Sequence, residues 1–395
     1  MKKHILFIIE NYVVPFDVRV WSEALFAKEI GFDVTVISPR NERAKGRYEV
    51  IDGIEIYRHP MPIEAHGKFG FIFEYLNALF WEFLLSIRIF IKKPFQIIHG
   101  ANPPDHIFLI ALFYKLFGTK YIFDHHDLSP ENYLAKFDKK DFLYKALLLM
   151  EKMTFKTANI VISTNESYKK IAQKRGGKKK NEVFVVRNGP RLSRYTFLPP
   201  NEKLKDGSDY LVAYLGFIGK QEGMDHLLRS VHYLVYKKNI KNIKFIVIGT
   251  GTIWQEMVDL SKKMGLSKYI QFTGFIPFKN LCEILSTADV CVNPEFRNEF
   301  TDKSTMIKIM DYMVFGKPIV QHETTEGRVT AGDSAKYVQN NDEVDFAESI
   351  IELLNDPEQR RRMGEIGKKR IKEKLNWNLQ KTNLKRAYMY LEKKL

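Results

Sequence analysis

The sequence is poor in cysteine, with Cys282 and Cys291 alone in 395 residues. Two cysteines exclude a disulfide scaffold and any multi-cysteine metal site, and they fit a reducing compartment. No run of 18 or more uncharged apolar residues occurs, so no membrane-spanning helix is expected. The start, Met1-Lys2-Lys3 followed by His4–Ile9, stops at Glu10 without a small-residue cleavage site, and reads as a first strand rather than a signal peptide. After that strand there is no Gly-x-Gly-x-x-Gly, the fingerprint of nicotinamide and flavin sites. Low complexity is absent beyond Lys178-Lys179-Lys180.

What is present is an ordinary globular composition, 45% hydrophobic and 28% charged, enough for two cores. It carries a net charge of +15. Such an excess suits an anionic partner: nucleic acid, acidic lipid or a phosphorylated small molecule. Residues 1–200 hold 31 basic against 21 acidic residues, and residues 201–395 hold 31 against 26, so the excess leans to the first half.

Short apolar runs alternate with helical patterns. Ile5–Ile9, Val34–Ile37, Ile97–His99, Tyr121–Phe123, Ile160–Ser163 and Val183–Val186 read as strands, and Val18–Lys28 as a helix. Continuous apolar strands separated by helices predict a parallel sheet covered on both faces. Asn188-Gly189-Pro190, Pro199-Pro200 and Asp206-Gly207 then interrupt the pattern. A second series follows: Leu211–Leu215, Phe245–Ile248, Ile270–Phe272, Val290–Val292 and Pro318–Val320, with charged helices from about Asp356. The expected division is residues 1–190 and 205–375, with a C-terminal helix of about 377–395 packing back on the first domain. Ligands in such sheets bind outside the strand C-terminal ends, which points to the loops after the strands and to a cleft between the domains.

Those loops hold the polar residues. After the first strand come Asn11, Pro15, Asp17 and Arg19, suited to a substrate pocket; the plain structural reading is a helix cap by Asp17 and a solvated Arg19. Asp124-His125-His126-Asp127 suits a metal site, an acid–base pair or a sugar-hydroxyl reader, or one histidine caps the next helix. Asn102 follows another strand. Gly216 and Gly219, with Lys220, open a helix as phosphate-binding turns do, and Gly249 and Gly251 form a second such turn. Ser304 or Thr305 is expected to cap a helix. On that helix Met306, Met310 and Met313 form a core stripe, and Lys308 and Asp311 are near neighbours whose plain reading is a surface ion pair. Lys68–Phe95 is rich in aromatics and ends in Arg88, Lys92 and Lys93. It reads as a membrane-surface element or as a helix buried on the sheet.

Together the Pro15–Ala24 opening, Asp124–Glu131, Val186–Gly189, Gly219–Gly223 and the Asp302…Lys308…Asp311…Gly316-Lys317-Pro318 segment resemble retaining family 4 glycosyltransferases of GT-B fold, in the group that assembles bacterial capsule, exopolysaccharide and O-antigen. The resemblance implies an α/β fold of two doubly wound Rossmann-like domains with parallel sheets facing across a cleft. It also implies a nucleotide-diphosphate sugar (a UDP-sugar first), a lipid-linked or oligosaccharide acceptor, and no metal or other cofactor. On it, His125 or His126 approaches the donor sugar, Gly216–Gly219 the pyrophosphate, Phe275-Ile276 the base, and Asp311 the ribose. Lys303 stands where the family has a sugar-reading glutamate, with Asp302 a substitute. Phe217 and Glu222 stand where it has Arg and Lys, which leaves Lys220, Lys303 or Lys308, with the amides at Ser304 and Thr305, to meet the leaving diphosphate. Asn11, Pro15, Asp17, Arg19, Asn102 and Asp127 then face the acceptor. The expected setting is cytoplasmic, peripheral on the inner face of the membrane, through an anionic lipid surface and without nucleic acid. The alternatives are a nucleotide-sugar epimerase on the same fold and a donor-binding homologue with weak or no transfer.

Overall fold

The computed structural model describes residues 2–60 and 68–393, with side chains described outside 61–72. Two compact units result: one runs up to Arg187 and takes in the chain again from Lys381, and the other spans Asn188–Gln380.

The first unit is built on eight strands, β1 (His4–Ile9), β2 (Asp33–Pro39), β3 (Tyr48–Ile51), β4 (Ile54–His59), β5 (Ile97–Ala101), β6 (Lys120–His125), β7 (Ile160–Ser163) and β8 (Val183–Val185). Their order in the sheet is β3-β4-β2-β1-β5-β6-β7-β8. All neighbours are parallel except the β3–β4 hairpin. That hairpin was not anticipated from the sequence, although Asp52-Gly53, both with positive φ, mark its turn. Its helices are α1 (Val18–Glu29), α2 (Lys68–Lys92), α3 (Phe108–Lys115), α4 (Ser129–Phe137), α5 (Phe142–Thr157) and α6 (Glu166–Lys174). Leu6, Ile8, Ile98, Phe123 and Val161 pack from the sheet against Ile89, Ile110, Tyr114 and Phe155.

The second unit has β9 (Tyr210–Leu215), β10 (Ile243–Ile248), β11 (Ile270–Gly274), β12 (Val290–Asn293), β13 (Ile319–His322) and β14 (Ala335–Val338), in the order β11-β10-β9-β12-β13-β14, all parallel. The helices are α7 (Met224–His232), α8 (Trp254–Lys263), α9 (Phe278–Thr287), α10 (Ile307–Val314), α11 (Thr325–Ala331), α12 (Glu343–Asn355) and α13 (Pro357–Arg370); α14 (Trp377–Glu392) begins here and from Lys381 belongs to the first unit. Two cores cover the sheet faces; Met310 and Met313 are buried in one of them, and Met306 packs against it. From α14, Tyr388 reaches His99 of β5 with a hydroxyl–Nδ1 distance of 3.0 Å.

Each parallel sheet reverses its winding once, between β1 and β5 in the first unit and between β9 and β12 in the second. At such a switch point successive connections leave in opposite directions and a crevice opens outside the strand C-terminal ends. The loops starting at Glu10, Asn102, Gly216 and Pro294 are therefore the ones the topology marks.

Candidate functional site

In the first unit one side chain organises two loops. Asn102 Oδ1 accepts from the amides of His126 (2.8 Å) and Asp127 (3.0 Å), while its Nδ2 donates to the Asp127 carbonyl (2.8 Å) and to Asp105 Oδ1 (3.0 Å). All four hydrogen-bonding positions of the amide are used, so Asn102 shapes the loop rather than presenting itself to an acceptor. Asp127 accepts from Leu128 N (2.8 Å) and Asn132 Nδ2 (3.3 Å), engaging both oxygens at the start of α4.

The two histidines differ. His125 is fully buried, its ring centroid 5.0–5.3 Å from those of Phe123, Phe155 and Tyr168. Burial, with Arg175 and His126 adding to it, pushes its pKa down to about 3, so it is neutral at pH 7. As a neutral imidazole among aromatic rings, His125 carries no charge and offers one N–H donor and one acceptor nitrogen. His126 is half-buried, its main chain pinned by Asn102.

Arg19 also departs from expectation. It is buried, and its Nε and Nη2 grip Asp124 at 3.0 and 2.6 Å, while Nη2 lies 3.1 Å from Glu23 and Nη1 donates to the Val186 carbonyl at 2.9 Å. His99 Nε2 stands 3.3 Å from Glu23. Burial works against both charges, yet Asp124 and Glu23 push the Arg19 pKa up and Arg19 holds Asp124 well below the carboxylate range. Arg19 therefore faces its own carboxylates, not an acceptor. Glu23, His99 and Asp124 are also the one group of three metal-type ligands among the described residues. The cation already seated on them is the guanidinium. Asp17 caps α1 by accepting from Val20 N (2.7 Å), the plain reading of that residue. Asn11 is exposed, and Pro15 is half-buried behind a cis peptide.

In the second unit the two glycine turns interlock. Gly216 N donates to Ile248 O (3.0 Å), Gly249 N to Gly274 O (3.0 Å) and Ile218 N to Thr250 O (3.1 Å). At Gly249, with φ +126°, an added Cβ would lie 1.9 Å from the Gly216 carbonyl, and at Gly251 one would lie 2.4 Å from the Ile218 carbonyl. These two glycines are required by loop-on-loop packing, whatever they also contact. Gly219 precedes a short 3-10 turn, Lys220–Glu222, on which Lys220 is exposed and Glu222 points inward.

Glu222 meets Lys308. The Lys308 ammonium lies 3.0 Å from Glu222 Oε2, 2.5 Å from Glu295 Oε1 and 4.8 Å over the Tyr214 ring. A Cβ built on Gly216 would sit 2.9 Å from Lys308 Nζ, so this cation abuts the first glycine turn. Burial disfavours the ammonium, but the two carboxylates hold its pKa well above the usual lysine value. Burial pushes Glu295 up to about 8, with Lys308 opposing. For Glu222 burial pushes up, but the Lys308 charge together with hydrogen bonds from Glu295, Lys308 and Tyr214 leaves the pKa lowered. The expected surface pair of Lys308 with Asp311 does not form. Glu295 was missed in the sequence; a carboxylate two residues past an apolar strand was the available signal.

Asp311 is bonded by the Tyr195 hydroxyl (2.5 Å), and Tyr195 lies between Phe278 and Phe315. Burial raises this carboxyl to about 6 although the Tyr195 bond opposes it. Its neighbour Tyr312 accepts from Leu215 N (2.8 Å) and donates to Val292 O (3.1 Å), fastening the ends of β9 and β12 together.

The helix start is also corrected. α10 begins at Ile307 with Met306 as a cap that makes no side-chain bond, so neither Ser304 nor Thr305 caps it. The turn before it is held by Asn298, whose Oδ1 accepts from Phe300 N (2.9 Å) and Thr301 N (3.0 Å), and the Ser304 hydroxyl donates back to Phe300 O (2.8 Å). Asp302 accepts from Thr325 N and Oγ1, both at 2.9 Å, and pairs with Arg297 at 3.1 Å. It anchors the start of α11, which removes it as a catalytic stand-in. Lys303 is half-buried on that turn, Phe275 is exposed just after β11, and Ile276 packs against the core.

The chain matches two family models: "Glycosyltransferase Family 4" over residues 18–194 and "Glycosyl transferases group 1" over residues 209–356. An uncharacterized glycosyltransferase of Methanocaldococcus jannaschii is 22% identical over 95% of this chain and 96% of its own. The capsular polysaccharide biosynthesis glycosyltransferase CapM of Staphylococcus aureus is 26% identical over 60% of this chain and 63% of its own. Among solved structures, sucrose-phosphate synthase from Thermosynechococcus elongatus has a TM-score of 0.80 at 16% identity, covering both chains fully. Anabaena HepE in complex with UDP has a TM-score of 0.71 at 13% identity, over 99% of this chain and 100% of its own.

Proposed function

We infer, from the GT-B glycosyltransferases of the group 1 and family 4 type to which this chain belongs, that it moves a hexosyl-type sugar from a nucleotide diphosphate to a saccharide acceptor in cell-surface polysaccharide synthesis, with retention of configuration and without a metal. UDP is the carrier we propose, because HepE is described in complex with UDP and with UDP-glucose. CapM, a capsular polysaccharide enzyme, supports the polysaccharide setting.

The observation that carries the donor side is the Lys308 ammonium against Gly216, at the β9/β12 switch point. Transfer leaves negative charge on the departing diphosphate, and donors fixed in place before the reaction stabilise that charge without reorganising. Lys308 neutralises Glu222 and Glu295 beside the turn. Lys220, exposed on that turn, and Lys303, on the turn before α10, supply positive charge to the diphosphate.

Two measurements follow. UDP is expected to raise the melting temperature selectively over ADP and GDP, because only a ligand bound to the folded state stabilises it. An equal response to all three removes the UDP assignment. Lys220→Ala and Lys303→Ala are each expected to cost about 2–4 kcal/mol of barrier, a loss of about 30- to 1,000-fold in turnover. Unchanged rates in both variants remove these lysines from the mechanism.

The acceptor side is proposed to be lipid-linked. Phe69 and Phe71 of the aromatic segment lie outside the described side chains. Beyond them, α2 buries Ala78, Glu82, Ser86 and Ile89 and exposes Phe73, Leu76, Phe80, Leu84 and Ile91. The inward face fits a helix buried on the sheet, and it is to the outward face that we assign the membrane-surface reading. α3 adds exposed Leu112, with Leu116 and Phe117 exposed just beyond its end; Lys115 closes α3, and Lys92 and Lys93, paired with Glu55 and Asp33, stand at the end of α2. No helix among the described residues is long and apolar enough to cross a membrane. An apolar face beside lysines binds anionic bilayers at their surface. Flotation with vesicles containing phosphatidylglycerol is expected to exceed that with phosphatidylcholine alone, and to fall for Phe73→Ser/Phe80→Ser. Equal flotation on both lipids counts against the surface.

A further inference from the structure

In the first unit α4 and α5 form a second exposed surface, richer in unpaired cations than α2 and α3. Residues 129–157 hold six lysines, Lys136, Lys139, Lys140, Lys145, Lys152 and Lys156, all of them exposed. The four acids of the same stretch are mostly engaged. Glu131 and Glu151 are buried on Arg175, and Asp141 accepts from the Tyr133 hydroxyl (3.0 Å) and from Leu143 N (3.1 Å). Asp138 is the exposed one. Lys139, Lys140, Lys145, Lys152 and Lys156 make no ion pair among the described residues. Lys92 and Lys93 at the end of α2, by contrast, are balanced by Glu55 and Asp33.

The spacing on α5 arranges these charges. Its exposed residues are Phe142, Lys145, Leu149, Lys152 and Lys156. Steps of three, four, three and four keep them on one side of the helix, as a single ridge about 21 Å long at about 1.5 Å per residue. Phe142 is 80% exposed and Leu149 60%, so large apolar tips alternate with ammonium groups and no acid interrupts them. The opposite side of α5 buries Glu151, Thr154 and Phe155. Phe155 shares one core with Ile89 of α2 and with Ile110 and Tyr114 of α3, on one face of the first sheet. The outward faces of α2, α3 and α5 therefore stand on the same side of this unit.

We propose that the α5 ridge, with Lys139 and Lys140 before it, is where this chain engages the phosphates of an anionic lipid surface, while α2 and α3 supply apolar insertion. The proposal rests on the membrane-surface reading of α2 and α3 and assigns the selectivity for anionic lipid to a different element. A straight, convex ridge meets a plane along its whole length. There the lysine stems lie along the interface with their ammonium groups at the phosphates, and Phe142 and Leu149 pass below them. A nucleic acid or an acidic polypeptide would pair with the lysines but would leave both apolar tips in water.

The test floats the full chain with phosphatidylglycerol-containing and with pure phosphatidylcholine vesicles, at low and at high salt. Wild type is expected to prefer phosphatidylglycerol and to lose most of that preference at high salt, because exposed charges are screened. Lys140→Gln/Lys145→Gln/Lys152→Gln/Lys156→Gln is expected to lower partitioning onto phosphatidylglycerol by about tenfold or more. Lys237→Gln/Lys241→Gln/Lys263→Gln/Lys369→Gln removes the same charge from exposed positions of the second unit and should stay within about twofold of wild type. Phe73→Ser/Phe80→Ser should bind less but keep its salt dependence. Location is read by an environment-sensitive thiol dye on Leu149→Cys, which takes the label selectively because Cys282 and Cys291 are buried. Its emission should shift to the blue on phosphatidylglycerol vesicles. Equal flotation of wild type on both lipids removes the membrane reading, and this ridge with it. A preference for phosphatidylglycerol that the α5 variant keeps, one that both lysine variants lose equally, or a dye that does not respond to bound vesicles overturns the ridge alone. A dye response to soluble polyglutamate as large as that to vesicles makes the occupant an acidic protein and overturns the lipid assignment.

Discussion

Lys308→Met is expected to cost about 3–5 kcal/mol of folding stability and to abolish the UDP-induced thermal shift. Methionine fills the lysine stem but leaves Glu222 and Glu295 facing each other, 15% and 4% exposed, with no cation between them. Breaking a buried pair from one side is far more damaging than removing all its charges. The triple variant Lys308→Met/Glu222→Gln/Glu295→Gln should therefore recover most of the lost stability while still failing to bind UDP. The pH window follows from the shifts. Lys308, raised, contributes fully below its unfolded pKa and loses that contribution only as pH climbs through its higher folded value. Glu222, lowered, contributes above its unfolded pKa and loses it as pH falls through the folded one. Glu295, raised to about 8, acts oppositely, subtracting stability as pH rises from its unfolded value toward 8. Melting at pH 7 thus compares wild type and variant with the Lys308–Glu222 pair intact in the wild type. An unchanged melting temperature would mean that Lys308 is not holding these carboxylates.

The sheets were legible because burial on both faces leaves a simple mark. Ile5–Ile9 or Val290–Val292 has nowhere to be except a covered parallel strand, and each lies within one. The β3–β4 hairpin escaped because Tyr48–Ile51 is a half-exposed edge strand of only four residues, broken by Glu49, too short to stand out. The start of α10 was misplaced for a related reason. Ser304 and Thr305 are good capping residue types, but Asn298 had already folded the preceding residues into a turn, and the cap position passed to Met306. Competition between neighbouring local motifs does not appear in a residue's own preferences.

For the sites, the sequence pointed to the loops after the strands, and in the structure several of their side chains are held within the fold. Position along the chain fixes which strand end a residue follows; it does not fix which buried partner captures it. Arg19, Asp302 and Lys308 are polar residues near strand ends, and each is held by a carboxylate or amide from 13 to 105 positions away. Conversely Glu295, Glu10 and Glu82 look like ordinary acids in the sequence. They become notable only once their burial is known.

The second large effect expected is on the first unit. Arg19→Met should leave Asp124 and Glu23 buried side by side with no guanidinium, at a cost of about 3–5 kcal/mol. Because Arg19 also donates to Val186, just before the chain passes at Arg187 into the second unit, the loss should loosen β8 as well as β6. Backbone amides of β5 and β6 that exchange only on unfolding of this unit should then exchange about 150- to 5,000-fold faster, while those of β9 and β12 keep their rates. Arg19→Lys retains a charge but not the two-pronged grip on Asp124, and should fall between wild type and the methionine variant. Protection of β5 and β6 unchanged in Arg19→Met would mean that the guanidinium is dispensable there. His99, 3.3 Å from Glu23, would then be the group holding the carboxylates.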